Sequence, residues 1–225
     1  MHVYLTIAAA VWGLVTGGFV LPRAAYRLAV EPGEPWRDAH GWVGRGPGGG
    51  GVPLAIICAV ACAAVALRVG VRPEVGVWLL LVPAGALMAR VDLAVLRLPD
   101  VLTLPAGAVT AAGLGVCALL PGHGGSWSRA LLGGAALLAL YFLLHLINPA
   151  GMGFGDVKLA PALGMALGWY GWGAVLAGTF AGFALGAVAG LTLLALRRAD
   201  RKTAIPFGPF MLLGALGGVL LAAGQ

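Results

Sequence analysis

The sequence has very little charge. Only 10% of its 225 residues are Asp, Glu, Lys or Arg, whereas 60% are hydrophobic and the mean hydropathy is +0.97. A water-soluble domain needs a polar shell that this composition cannot supply, so the chain is predicted to be a multi-pass membrane protein. The basic residues lie scattered between apolar runs and form no stripe on an aromatic-bearing surface, which argues against a nucleic-acid partner.

Paired cysteines are also missing. The chain has only Cys58, Cys62 and Cys117, all within apolar runs, and none belongs to a CxxC pair that could bind zinc or exchange disulfides. We therefore expect small buried thiols, and neither a metal site nor a cofactor.

The first residues lack a basic segment, and their apolar run is long enough to span a bilayer, so we expect it to remain as the first helix rather than to be cleaved as a signal peptide.

Uncharged runs predict an all-α polytopic fold of about eight transmembrane helices. The runs cover residues 3–22, 52–67, 75–91, 101–120, 130–148, 159–173, 174–196 and 205–223. The stretch from 159 to 196 is too long for one crossing at about 1.5 Å per residue, and the segment GWYGWG in its middle offers a turn with interfacial aromatic side chains. We divide the stretch there; without that division the number of helices would be seven.

The distribution of basic residues predicts which loops face the cytoplasm. If the first loop is cytoplasmic, eleven of the 14 Lys and Arg fall on that side, and the other side has only Arg68, Arg72 and Arg129. The positive-inside rule then places the N-terminus outside. The loops at residues 90–100, 149–158 and 197–203 are cytoplasmic in this topology.

Residues 31–51 end in a glycine-rich run and are predicted to form a loop, with at most a short interfacial helix around 36–42.

Acidic residues are few, and three of the eight lie at predicted membrane boundaries: Asp92, Asp100 and Asp156. Ionisable groups at membrane depth are costly, which makes each a functional candidate. Asp92 ends the third span and Asp156 opens the sixth, at one predicted level on different helices. Two carboxylates within hydrogen-bonding reach share a proton, so that one acts as a base toward water while the other donates to a carbonyl, as in aspartyl proteases. On the residues alone, ordinary interfacial acids beside arginines explain the pattern equally well.

The segment GMGFGDVKLAPALG, residues 151–164, surrounds Asp156 with small residues. Gly153 and Gly155 are expected to let the backbone take unusual angles and to let an extended peptide come close. Lys158 is expected to support the site electrostatically. In the preceding helix, His145 is expected to bond a neighbouring helix rather than a ligand. Pro206 and Pro209 are expected to kink or delay the last helix.

At these residues the chain resembles the type IV prepilin peptidase family, a bacterial branch of the G-x-G-D membrane aspartyl proteases. Three further segments carry the resemblance: VDLAVLRLPDVLTLP, with an Asp after an apolar run and a later Pro-Asp pair, IPFGPF near the C-terminus, and GLVTGGFVLPRAAYRL at the start. The resemblance covers nearly the whole chain in the right order. It implies that Asp92 and Asp156 are the catalytic pair. Asp100, the rival for the first position, is then expected to cap the helix that begins at residue 101.

The chain departs from the family pattern after its first span. Full-length bacterial members usually have a cytoplasmic insertion there, with two CxxC pairs, and an N-methyltransferase activity that follows cleavage. Here the region has shrunk to residues 23–51 and contains no cysteine. Methylation is therefore in doubt, whereas proteolysis is not. We divide the chain into residues 1–51, the first helix with its shortened loop, and residues 52–225, the membrane-embedded protease core.

The resemblance implies an aspartic endopeptidase of the bacterial inner membrane that removes the leader of prepilin or pseudopilin precursors at the cytoplasmic face. Two other classes remain: a small proton- or cation-coupled transporter that uses the same acids as a relay, and a non-catalytic pilus-assembly protein. Transporters often consist of two inverted halves with broken helices, and this sequence has no such symmetry. The oligomeric state is open.

Overall fold

A computed structural model describes residues 2–28, 51–149, 151–197 and 205–224, which form helices and contain no strand. The first helical element runs from α1 (His2–Val15) through a π-helical segment (Thr16–Val20) into α2 (Leu21–Leu28). The others are α3 (Gly51–Val69), α4 (Val75–Val95), α5 (Asp100–Ala118), α6 (Trp127–Ile147), α7 (Phe154–Tyr170), α8 (Trp172–Ala195) and α9 (Gly208–Ala222). Counting the first element once, the described residues contain eight helices, and the predicted all-α polytopic fold is confirmed.

Six of these helical elements are long and apolar enough to cross a membrane: His2–Ala25, α3, α4, α5, α6 and α8. The two shorter ones are α7, with 17 residues, and α9, with 15. Many large apolar side chains point outward, such as Phe180, which is 75% exposed. Such exposure is unfavourable in water but is what a lipid-facing surface requires. The chain is a multi-pass membrane protein.

Glycines bring the helices together in close pairs. α6 packs on α7 at Gly133 and Gly168, where a Cβ on Gly168 would lie 2.7 Å from the Arg129 carbonyl oxygen. The π-helical segment packs on α3 in the same way, because a Cβ on Gly17 would lie 2.7 Å from the Leu54 carbonyl oxygen. Small residues at such contacts let backbones approach and gain dispersion energy in lipid, where the hydrophobic effect is absent.

The connections alternate between two ends of the bundle, as the sequence predicts. One end, called the Glu74 end, comprises the 70–74 and 119–126 loops and the C-terminal ends of α7 and α9. The hydrogen bonds that join it include those from Arg68 Nε to the Leu220 carbonyl (2.8 Å), from the Gly124 N–H to Glu74 Oε1 (2.9 Å), and from the Ser126 N–H to the Trp169 carbonyl (3.0 Å). The opposite end, called the Asp92 end, comprises the end of α4 and the first turns of α5, α7 and α9. The predicted interfacial helix around 36–42 and most of the basic 197–203 loop lie outside the described residues.

Candidate active site

Asp92 and Asp156 lie at the same end of the bundle. Asp92 is in the last turn of α4 and is 4% exposed, whereas Asp156 is in the first turn of α7 and is 6% exposed. The two carboxyl groups are close enough to interact electrostatically. Buried acids are rare unless they are paired or functional, and neither one has a salt bridge among the described residues. The structure thus brings two buried acids from different helices to one end of the bundle.

The IPFGPF segment contacts Asp92 directly. The Gly208 N–H at the start of α9 donates a hydrogen bond to Asp92 Oδ2 over 3.0 Å. The first N–H groups of a helix have no partner within the helix, and a carboxylate is a favourable acceptor for them. Pro209 stands in the first turn of α9, where proline is tolerated, so it starts this helix rather than kinking it. The sequence analysis singled out the IPFGPF segment but did not predict this hydrogen bond, because it joins residues 116 positions apart.

The two glycines before Asp156 have different surroundings. Gly153 precedes α7 with φ −65° and ψ 142°, ordinary extended values, and Gly155 is not among the described residues with positive φ. The expectation of unusual backbone angles at these glycines was therefore wrong. The space beside Gly155 is instead occupied by the chain itself, because a Cβ there would lie 2.9 Å from Leu98 Cβ and 3.3 Å from its backbone nitrogen. Gly155 thus lets the start of α7 contact the loop that follows Asp92.

Lys158 forms an ion pair with Asp100. Its Nζ donates to both carboxylate oxygens, over 2.6 and 2.7 Å, and also lies 5.2 Å from the centre of the Phe154 ring. The predicted capping role of Asp100 was wrong: α5 begins at Asp100 itself, its N-cap residue is Pro99, and the Asp100 carboxylate binds Lys158. The ion pair links the first turns of α5 and α7, and it lies beside the buried acids rather than between them.

The loop that precedes Asp156 is held by two residues from the end of α6. His145 Nδ1 lies 2.8 Å from the Met152 carbonyl oxygen, and its ring centroid lies 5.4 Å from that of Phe154. Asn148 Oδ1 accepts a hydrogen bond from the Gly151 N–H over 3.1 Å. His145 thus bonds the loop after its own helix, not a neighbouring helix as expected. Both side chains fix the loop from which α7 begins.

The cysteines of the described residues are free thiols, and none is grouped with other possible metal ligands. All three, Cys58, Cys62 and Cys117, are buried. Among the described residues, no three His, Cys, Asp or Glu side chains are grouped as metal ligands. What the site offers is a pair of carboxyl groups in an apolar bundle, one of them oriented by a backbone N–H. Such a pair can hold one shared proton and activate a water molecule.

Comparisons with known proteins bear on this pair. Residues 77–191, which contain Asp92 and Asp156, match the type IV leader peptidase family. Curated relatives named prepilin leader peptidase/N-methyltransferase include one from Stutzerimonas stutzeri, 32% identical over 160 residues, with 69% of this chain and 53% of the relative covered. Another, from Pseudomonas aeruginosa, is 33% identical over 155 residues (65% and 50%), and one from Aeromonas salmonicida is 37% identical over 125 residues (54% and 40%). The alignments thus span about half the length of these relatives or less. No solved structure matches the chain.

Proposed function

Because this chain belongs to the type IV leader peptidase family, we propose that it is a membrane aspartic endopeptidase in which Asp92 and Asp156 are the catalytic pair. The observation that carries the proposal is the burial of both carboxyl groups at one end of the bundle, inside the segment that matches the family. A transporter or an assembly protein also accommodates buried acids, but the family match favours neither.

In the proposed reaction the pair holds one proton. The ionised carboxylate takes a proton from a water molecule as the water oxygen attacks the peptide carbonyl carbon, and the protonated carboxyl group donates to the carbonyl oxygen. The resulting tetrahedral species then breaks its C–N bond: one carboxyl group donates a proton to the leaving amine, and the other, ionised carboxylate takes the proton of one hydroxyl group, so that the pair again holds one proton. The Gly208 N–H binds Asp92 Oδ2 and so orients this carboxylate, leaving Oδ1 for the water. The reacting groups in this mechanism are the two side chains, water and the peptide bond.

The proposed substrates are prepilin or pseudopilin precursors, whose leader would lie in the cytoplasm and whose apolar helix would lie in the bilayer. Cleavage at the cytoplasmic face of the inner membrane brings the scissile bond to the depth of the Asp92 end. The test is to incubate the purified chain in lipid with such a precursor and to identify the products by mass spectrometry. A transporter or assembly protein would leave the precursor intact.

The proposed topology predicts that position 199 faces the cytoplasm. In a background with Cys58, Cys62 and Cys117 replaced by alanine, a cysteine at Ala199 should not react with a membrane-impermeant thiol reagent in intact cells. A cysteine at Pro121, an exposed residue of the Glu74 end, should react. The reason is the excess of Lys and Arg on the Asp92 side. The reverse labelling pattern would place the acids at the outer face and remove the proposed access to a cytoplasmic leader.

We further propose that the chain does not methylate its product. Methyl transfer needs a site for the donor and for the new amine, and residues 23–51 contain no cysteine pair that could hold a metal and stabilise such a site. Precursor cleaved by the purified chain in the presence of S-adenosylmethionine should therefore have an unmodified N-terminus in mass spectrometry. A product heavier by a methyl group would show that the site is built elsewhere in the chain.

The Lys158 to Asp100 ion pair is expected to support the site without taking part in the reaction. Both side chains are partly exposed, at 29% and 57%, and pairs of this kind contribute about 0.2–1 kcal/mol. Lys158→Met should therefore lower kcat/KM only a few-fold, and the charge swap Lys158→Asp with Asp100→Lys should recover part of the loss. If Lys158→Met is as inactive as an Asp156 variant, Lys158 belongs to the catalytic machinery.

A further inference from the structure

A cavity of about 310 Å³ runs between α3, α4, α5, α7 and α9. Its lining on α4 extends from Trp78 to Leu93, fifteen residues apart, or about 22 Å at the helical rise. Leu93 follows Asp92 in sequence and Pro209 follows Gly208, so one end of the cavity lies at the level of Asp92 in the bundle, while Trp78 lines the other end. For comparison, an engineered cavity of about 150 Å³ is large enough to bind benzene.

The cavity opens sideways onto the surface that faces lipid. Three of its lining residues, Ile57, Leu93 and Leu213, are 58%, 59% and 54% exposed, although all are large and apolar. Leu213 lies five residues after Gly208, and Ile57 lies in the first two turns of α3, so the opening is nearer the Asp92 end. The bilayer therefore has direct access to the cavity.

The shape and chemistry of the cavity exclude most occupants. Water needs polar partners, and the Thr110 hydroxyl already donates to the Ala106 carbonyl over 2.7 Å. An α-helix with its side chains is about 10–12 Å across, too bulky to be enclosed in a cavity of about 310 Å³. An extended peptide would leave its backbone N–H and C=O groups without partners among alanine, leucine and valine side chains.

We propose that this cavity binds one acyl chain of a bilayer phospholipid. A single hydrocarbon chain has no polar groups to satisfy, fits a long narrow space, and is supplied by the bilayer at the opening. It would fill a void whose lining otherwise lacks contacts on one side, and the dispersion contacts it restores stabilise the bundle. The bound chain packs against α4 and α9, the two helices joined by the Gly208 to Asp92 hydrogen bond. The proposal does not depend on the peptidase activity.

The test uses Trp78, which is 3% exposed and lines the cavity. A full-length variant retains Trp78 and has phenylalanine at the other six tryptophans, Trp12, Trp36, Trp42, Trp127, Trp169 and Trp172. It is reconstituted in phosphatidylcholine vesicles whose acyl chains have bromine near the methyl end, a quencher that acts at short range. We expect most of the Trp78 emission to be lost. A matched variant with only Trp169, fully buried but outside the cavity lining, should retain its emission.

A variant whose cavity is filled distinguishes quenching by an acyl chain inside the cavity from quenching by lipid outside the bundle. Gly85 lines the cavity, and the nearest atom to a Cβ there is the flexible Leu212 Cδ2, at 3.1 Å, so Gly85→Leu should fill the space. In the Trp78-only protein, Gly85→Leu should abolish the quenching; Ala86→Leu is the alternative if that chain does not fold. Native mass spectrometry of the unsubstituted chain should also show a phospholipid retained after detergent exchange. Absence of quenching, or quenching that survives a filled cavity, would overturn the proposal, as would a chain that retains no phospholipid.

Discussion

Replacing either Asp92 or Asp156 with asparagine is expected to lower kcat for leader removal by at least about 100-fold, the lower range for loss of an acid or base. Asparagine keeps the shape of the side chain but can neither hold the shared proton nor take one from water. Both variants should accumulate in the membrane, because an amide at a buried site costs less to desolvate than a carboxylate. The measurement is the initial rate of precursor cleavage by equal amounts of purified protein.

Asp100→Asn is the matched control, since Asp100 lies at the same end of the bundle but is exposed and paired with Lys158. The rate at which Asp100→Asn cleaves the precursor should stay within a few-fold of the rate of the unsubstituted chain. If Asp92→Asn or Asp156→Asn cleaves at the normal rate, the catalytic pair is misassigned. If Asp100→Asn is inactive and Asp92→Asn keeps its activity, Asp100 is the first catalytic acid, as the sequence alone allowed.

Much of this arrangement could be predicted because charge is so rare in the sequence. An acid that ends or begins an apolar run must stand near the membrane boundary, and alternation of the helices puts the end of α4 and the start of α7 on one side. Asp92 and Asp156 are therefore brought to one end by topology alone. The same reasoning places Arg68 with the C-terminal turn of α9, and Arg68 donates to the Leu220 carbonyl there. The division of the chain into a first helix with its loop, residues 1–51, and a protease core, residues 52–225, stays a prediction.

What the sequence could not supply are contacts that depend on helix rotation and on exact helix ends. Asp100 was assigned to a cap because its helix was expected to begin one residue later, and that shift frees its carboxylate for Lys158. Glu74 stands between two predicted spans, where an exposed loop residue is expected, yet it is fully buried and accepts the Gly124 N–H. The hydrogen bond from Gly208 to Asp92 joins helices far apart in sequence, and no local pattern encodes it.

Gly208→Ala is expected to lower kcat by about 100-fold while leaving the protein folded, because a displacement of about 1 Å at a catalytic group can have that effect. A Cβ on Gly208 would lie 2.8 Å from Asp92 Oδ2, closer than such atoms approach, and 3.3 Å from Leu98 Cδ1. The carboxylate is the far end of a side chain and can rotate away, so the strain moves Asp92 rather than α9. The measurement is kcat and KM for precursor cleavage, together with the thermal unfolding midpoint in detergent.

Two other glycines separate this effect from a general intolerance of alanine. A Cβ on Gly107 would meet nothing within 4 Å, so Gly107→Ala should leave both kcat and the unfolding midpoint unchanged. A Cβ on Gly153 would lie 3.4 Å from Asp156 Oδ2, an ordinary contact at ordinary backbone angles, so Gly153→Ala should reduce kcat only a few-fold. A large loss in Gly153→Ala with normal activity in Gly208→Ala would reverse the argument. The critical space would then lie along Gly153, where a peptide approaches, and the Gly208 to Asp92 contact would not control the position of the carboxylate.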